Sequence, residues 1–130
     1  MDYVETAHLI ASKMIEGKKL SKALALVYTK RELVIPSDLS VLDVKIVDLK
    51  MSNRTTNALM RAKLTTIGEV ATYCEKNKLT DIKLFGKGSG VEMLEAILDY
   101  CWDCLTTSER TEFLLDIVER NEENLREELK

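Results

Sequence analysis

The chain has 130 residues, of which 45% are hydrophobic, and it carries one proline, five glycines and a net charge of −3. This length fits one domain, or one domain with a helical extension, and the apolar fraction is enough for a hydrophobic core. The scarcity of proline and glycine excludes a low-complexity chain and disfavours an all-β fold. No apolar run approaches the roughly 18 residues of a membrane span.

Charge is distributed unevenly along the chain. Residues 12–63 carry eleven Lys/Arg and five Asp/Glu, a net charge of +6. Residues 109–130 carry four Lys/Arg and eight Asp/Glu, a net charge of −4. A basic region beside an acidic tail suits a protein with a polyanionic partner and a separate solvated helix. Two ordinary charged surfaces would give the same pattern.

The first residues and the cysteines favour a cytoplasmic location. The start MDYVETAHLI has neither the basic nor the apolar region of a signal peptide. Three cysteines, an odd number in a chain without an export signal, indicate reduced thiols.

The N-terminal third predicts two helices and a connector. Apolar residues at three- and four-residue steps predict an amphipathic helix over 2–16, ended by Gly17, and a second helix over 18–33. The run ALALVY in the second segment also suits a strand. The two apolar stripes either close the core or form a dimer interface. Residues 34–49 predict an extended connector with one turn before Leu49.

Capping residues mark two short helices in the middle of the chain. Ser52 can cap a helix over 53–62. Thr66 and Glu69 form a capping-box pattern, which predicts a second helix to about residue 74. The residues expected to face the core from the first helix are Ala58, Leu59 and Ala62.

Two longer helices are predicted in the last third. A short helical turn and the glycine-rich stretch from Gly86 lead into a helix over 89–105, and Thr106 with Glu109 opens another. The chain beyond Asn121 is expected to be solvated. No β-sheet is needed, so the predicted fold class is all-α. The residues expected to pack are Val91, Leu94, Ile97, Leu98 and Cys101 of the first helix, and Phe113, Leu114, Ile117 and Val118 of the second.

The glycine-rich turn has the form of a helix-hairpin-helix motif, with an apolar Phe85, then Gly86-x-Gly88, then a helix start. Glycines let the backbone approach a surface closely. The N–H groups and the dipole of a helix start favour an anion such as a DNA phosphate. By itself the pattern suits a plain helix C-cap followed by an N-cap equally well.

Arg54 and Asn57 lie three residues apart in the first turns of the 53–62 helix, and therefore on one face. Arg offers a rigid fork of donors, and Asn offers a donor and an acceptor. Such a pair can reach base edges in a minor groove, whose narrow A/T-rich form attracts Arg. A solvated Arg beside an Asn that supports the turn is the alternative, and spacing alone favours it.

Residues 46–98 resemble the C-terminal domain of the bacterial RNA polymerase alpha subunit. The resemblance implies a compact helix-hairpin-helix domain over 46–105, between an N-terminal helical extension with a connector (1–45) and an acidic C-terminal helix (106–130). The matching residues keep the order and spacing of the family: Asp48-Leu49, Arg54-x-x-Asn57-x-Leu59, Ile67-Gly68-Glu69-Val70 and Phe85-Gly86-Lys87-x-Ser89.

The resemblance implies a non-enzymatic, nucleoid-associated protein of bacterial transcription that binds the minor groove of A/T-rich double-stranded DNA. Its other implied partners are RNA polymerase, sigma factor or a transcription activator, and it implies no cofactor. Asp48 and Lys50 would form a partner surface. The implied DNA-binding residues are Arg54 in the groove with Asn57 as its partner, Gly86, Lys87 and Ser89 at phosphate, and Ala58 and Glu92 on the same side.

The sequence departs from the family pattern at three positions. Gly88 replaces a second Lys, Met60 stands where a Lys is common and is followed by Arg61, and Lys50 stands where an acidic residue is common. The first change removes a phosphate contact, so we expect weaker and less salt-dependent DNA binding. The third departure, Lys50, alters the surface that contacts sigma factor in the family.

A second hypothesis is a protein-interaction module that kept the fold without useful DNA affinity and binds polymerase, sigma factor or another transcription factor. An exposed, electropositive face at 54, 57 and 86–89 favours DNA binding. A face covered by the N-terminal helices or the acidic tail favours the interaction module. For the acidic tail, plain packing is preferred to folding back over the basic face.

Neither an enzyme nor a metal protein is expected. Cys101-Trp-Asp-Cys104 lies in an apolar helical stripe, and the sequence has no second Cys pair or His cluster to complete a zinc site. Buried thiols are therefore the favoured interpretation. We find no nucleophile–base pair, P-loop or nucleotide-binding fingerprint.

Overall fold

The computed structural model of the protein describes residues 1–29, 39–83 and 85–130. Within these residues the fold is all-α, as predicted, with short 3₁₀ turns and two isolated β-bridges but no strand. None of the described helices is long and apolar enough to cross a membrane. The helices are α1 (Tyr3–Ile15), α2 (Leu20–Val27), α3 (Leu39–Leu42), α4 (Asn53–Arg61), α5 (Ile67–Lys76), α6 (Lys87–Cys104) and α7 (Thr107–Arg120).

The protein divides into two units. The terminal unit comprises Met1–Val34 and Trp102–Lys130, and the central unit comprises Ile35–Cys101. The division into 1–45, 46–105 and 106–130 that the sequence suggested stays a prediction.

In the terminal unit, α1 packs against both α2 and α7. The Asp2 carboxylate caps α1 by accepting a hydrogen bond of 2.8 Å from the Glu5 N–H, and Gly17, at a φ of +102°, follows its end. The predicted Thr106–Glu109 capping box is confirmed at the start of α7. The four residues of α7 that were expected to pack are all buried: Phe113, Leu114, Ile117 and Val118.

Helix α2 ends at Val27, well before the predicted end at residue 33. Tyr28 is extended and forms an isolated antiparallel bridge with Leu125. The helix prediction is therefore wrong at Tyr28 and Thr29, and its part over 30–33 lies outside the described residues.

The segment that follows α7 is only partly solvated. The prediction for the chain beyond Asn121 is wrong at the buried Leu125, whereas the exposed residues agree with it: Glu122, Glu123, Glu127, Glu128 and Lys130. Asn121 is fully buried. The Arg126 guanidinium donates to the Ala25 carbonyl at 2.7 Å, and the Arg126 N–H donates to the Val27 carbonyl at 3.1 Å. These bonds supply partners for carbonyls at the C-terminal end of α2, which an isolated helix would leave unsatisfied.

In the central unit, a short helix replaces part of the predicted extended connector. Helix α3 packs against α5, where Gly68 leaves room, because a Cβ on Gly68 would lie only 3.0 Å from the Leu42 carbonyl oxygen. The connector prediction is wrong over α3, and its part over 34–38 lies outside the described residues. The predicted turn before Leu49 is confirmed as a 3₁₀ turn over Ile46–Asp48.

Helix α4 ends in a Schellman motif that turns the backbone toward α5. The Leu64 N–H donates to the Leu59 carbonyl and the Lys63 N–H to the Met60 carbonyl, both at 3.0 Å. Lys63 has a φ of +63° at the position where glycine is usual. The motif exposes Ala62, so its predicted place in the core is wrong, whereas Leu59 is buried as predicted.

We expect Lys63→Gly to raise the free energy of unfolding by about 0.5–1 kcal/mol, because glycine adopts a positive φ without a steric penalty. Chemical denaturation of the full-length protein would measure the change. Lys63→Ala is the matched control, since it removes the charge but keeps the strained backbone. Equal stabilisation by both substitutions would contradict strain at this residue.

Helix α6 presents most of the predicted face to the core, with Leu94 half-buried. Ile97, Leu98 and Cys101 are buried as predicted. Met93 is also buried, whereas Val91 is 48% exposed, so its predicted core position is wrong. The buried face therefore begins two residues later than the apolar pattern suggested.

Candidate nucleic-acid interface

The start of α4 presents two polar side chains to solvent. Ser52 is the predicted N-cap, and its Oγ accepts a hydrogen bond of 3.4 Å from the Thr55 N–H. Arg54 and Asn57 are exposed on one face of the helix, while Thr55 is buried. Within the described part of the protein, neither the Arg54 nor the Asn57 side chain makes a hydrogen bond or an ion pair. Both are therefore free to bind a ligand.

The start of α6 offers backbone donors. The first α-helical bond runs from the Gly90 N–H to the Gly86 carbonyl at 3.1 Å, so the helix begins at Lys87, two residues earlier than predicted. The N–H groups of residues 87–89 point out of the helix start without intrahelical acceptors. A Cβ on Gly86 or Gly88 would meet nothing within 4 Å.

Surface exposure at the start of α6 suits an anion. Gly86 and Lys87 are exposed and Ser89 is half-buried, while Phe85 anchors the turn in the core. The positive end of the helix dipole and the Lys87 ammonium would attract the same negative group.

Glu92 joins the two helix starts. Its Oε1 accepts hydrogen bonds of 2.8 Å from both the N–H and the Oγ of Ser52. These bonds, with that from the Ser52 N–H the most important, hold the pKa of the Glu92 carboxyl below its usual value of 4.5. Because Ser52 caps α4 and Glu92 lies in the second turn of α6, this carboxylate fixes the start of α4 beside that of α6.

Two of the residues predicted on the DNA side have other surroundings. Ala58 is only 1% exposed and belongs to the core of the central unit, as the helix pattern predicted, and its place on the DNA side stays a prediction. The Glu92 carboxylate is engaged by Ser52. Sequence reasoning missed this link, because no local pattern connects residues 40 positions apart.

Charge on the surface around α4 is strongly positive. The charged side chains of residues 45–63 are all exposed, and they comprise five cations and one anion. A positive surface attracts a polyanion at long range, and phosphate neutralisation supplies much of its affinity. The six side chains are Lys45, Asp48, Lys50, Arg54, Arg61 and Lys63.

The predicted partner surface lies at the end of the 3₁₀ turn that contacts α4, with Asp48 in the turn and Lys50 two residues after it. Asp48 and Lys50 are both exposed. Val47, which precedes Asp48 and follows the buried Ile46, is 53% exposed. An exposed apolar side chain next to a charged one suits a small protein contact.

The cysteines do not form a metal site in the described part of the protein. Cys101 is buried, but Cys104 is exposed, which corrects its predicted burial. Cys74 is half-buried, and burial raises the pKa of its thiol. Among the residues that the structure describes, no three His, Cys, Asp or Glu side chains are grouped to hold a metal ion.

One comparison with known proteins gives a match. Residues 35–99, half of the protein, match the family model that describes the C-terminal domain of the alpha chain of bacterial RNA polymerase. The matched range lies within the central unit, which carries α4, the start of α6 and the Ser52–Glu92 link. No curated protein and no solved structure matches this sequence.

Proposed function

Since this protein belongs to the family of the C-terminal domain of the bacterial RNA polymerase alpha subunit, a non-enzymatic transcription domain, we propose that it binds A/T-rich double-stranded DNA through the minor groove. Arg54 enters the groove, with Asn57 beside it. The N–H groups at the start of α6, together with Lys87 and Ser89, hold a phosphate. The nucleoid is the proposed location.

The observation that carries this proposal is the placement of Arg54. Its side chain is exposed, has no partner within the described residues, and stands in the first turn of α4, where a positive charge opposes the helix dipole. The Glu92–Ser52 bonds hold this turn beside the α6 start. A groove-inserting cation and a phosphate cradle therefore lie side by side, as groove and backbone do in DNA.

The test is the affinity of the full-length protein for two DNA duplexes of equal length, one A/T-rich and one G/C-rich, by fluorescence anisotropy at two salt concentrations. We expect tighter binding to the A/T-rich duplex, and competition by a small molecule that occupies the minor groove. Equal binding of both duplexes, or insensitivity to that competitor, would contradict groove reading.

A second candidate function is a contact with RNA polymerase, sigma factor or a transcription activator. The exposed Val47, next to the exposed Asp48 on the 3₁₀ turn, favours it. Binding of the full-length protein to purified polymerase, lost in Val47→Glu while DNA binding is retained, would support this function. A protein that binds neither DNA duplex but binds polymerase would make it the primary one.

We expect Gly88→Lys to tighten DNA binding and to steepen its salt dependence by about 0.9 in the log–log slope, the contribution of one further phosphate. A side chain fits here, because a Cβ on Gly88 meets nothing within 4 Å. Gly88→Ala is the control, since it gives the same gain in helix propensity without the charge. An unchanged slope in Gly88→Lys would place this position away from the DNA backbone.

A further inference from the structure

Helix α1 has a second apolar face that its own unit does not cover. Its inner face buries Thr6, Ala7 and Ile10. Three large apolar residues elsewhere on the helix are exposed: Tyr3 at 39%, Val4 at 56% and Ile15 at 87%. Single exposed apolar residues are common on monomers, so the spacing of these residues decides what they mean.

The exposed residues follow a heptad spacing. Val4, His8, Ala11 and Ile15 are separated by four, three and four residues, which places them on one stripe along the whole helix. His8 is exposed and Ala11 is half-buried. Met1, three residues before Val4 and 52% exposed, continues the stripe beyond the helix. A stripe of this kind is the seam by which one helix packs lengthwise against another.

Charge at the two ends of α1 favours an antiparallel partner of the same kind. The N-terminal end of α1 carries Asp2 and Glu5, a net of −2. The C-terminal end carries Glu16, and Lys18 and Lys19 follow Gly17, a net of +1; Lys13 lies on the opposite face, one heptad after the buried Thr6, and does not contribute. In an antiparallel pair the acidic end of each helix meets the basic end of the other, and the helix dipoles also oppose each other favourably.

We propose that the protein self-associates through this stripe into an antiparallel, two-fold symmetric dimer. In this pairing Val4 of one copy faces Ile15 of the other, and His8 faces Ala11. The stripe is short, so the contact lies below the roughly 1,200 Å² of a standard interface, and the dimer is expected to be weak. The proposal rests on the terminal unit alone and does not depend on DNA binding.

Sedimentation equilibrium of the full-length protein, from about 10 µM to about 1 mM, tests the proposal. We expect a reversible monomer–dimer equilibrium that Ile15→Glu shifts toward monomer by about tenfold or more in Kd. Leu26→Glu is the matched control, because Leu26 is an exposed leucine (46%) of α2 that lies outside the stripe. Circular dichroism would verify that both variants remain folded.

A charge exchange tests the orientation. Glu5→Lys should weaken the dimer, and the addition of Lys18→Glu and Lys19→Glu should restore it. Arg54→Ala should dimerise like the wild type, which separates this result from any failure to bind DNA. A protein that remains monomeric over the whole range would overturn the proposal. So would a dimer that Ile15→Glu leaves intact, or assembly beyond two copies.

Discussion

Arg54→Ala is expected to abolish the preference for A/T-rich DNA and to lower the affinity for the A/T-rich duplex about 10- to 100-fold, or roughly 1–3 kcal/mol. The guanidinium is the proposed group inside the groove, and no protein group in the described residues holds it elsewhere. Anisotropy titrations of both duplexes would measure the loss.

The same substitution should leave the fold intact or stabilise it slightly. Arg54 is exposed in the first turn of α4, where its positive charge opposes the helix dipole at a cost of about 0.3–1 kcal/mol. Alanine removes that repulsion and has the best helix propensity. A variant that gains stability while it loses DNA binding would indicate a residue kept for function, because unfolding could not explain the lost affinity.

Arg61→Ala is the matched control for Arg54→Ala. Arg61 is an exposed arginine of the same helix, two turns further on, beside a shallow depression that it forms with Asn57 and Met60. Its loss should weaken binding to both duplexes similarly and leave their affinity ratio unchanged. If Arg61→Ala and Arg54→Ala lower the A/T preference equally, the assignment of groove insertion to Arg54 fails.

Local signals in the sequence predicted the helix starts well. Ser52 caps α4, and Thr106 with Glu109 forms the full capping box of α7, because these bonds join residues only three positions apart. The start of α6 was placed two residues late, since a helix does not usually accept two glycines in its first turns.

Features fixed by distant residues could not be predicted. Helix α2 ends where Arg126, about a hundred residues away, binds its last carbonyls. Thr55 instead of Ala62 faces the core of the central unit. Residue type alone favours the alanine for a buried position, but packing and the turn at Lys63 set which face of α4 is buried. The Ser52–Glu92 link belongs to the same class.

Glu92→Ala is expected to lower the free energy of unfolding by about 1–2 kcal/mol, because it leaves the Ser52 N–H and Oγ without their charged acceptor. DNA affinity should fall as well, although Glu92 would not touch DNA, since the first turn of α4 would no longer hold Arg54 in place. Glu92→Gln, which keeps one acceptor oxygen, should cause smaller losses of both stability and DNA affinity.

The pH dependence provides a sign test for the same link. The pKa of Glu92 is lowered in the folded state, so its contribution to stability is present above the usual value of 4.5 and is lost as pH falls through the folded pKa. The stability difference between wild type and Glu92→Gln should therefore be largest near neutral pH and shrink in acid. A difference that grows in acid would contradict a carboxylate held by Ser52.

A double-mutant cycle with Ser52→Ala separates positioning from a direct DNA contact. If Glu92 acts through Ser52, the losses of stability and of DNA affinity in the double variant should be smaller than the sums of the single losses, with a coupling of about 0.5–3 kcal/mol. The opposite outcome is that Glu92→Gln lowers DNA affinity as much as Glu92→Ala does, with no change in stability and no coupling to Ser52. In that case the carboxylate itself would contact DNA. The cycle therefore decides between two roles for Glu92: a direct contact with DNA, or the positioning of Arg54, which contacts the DNA.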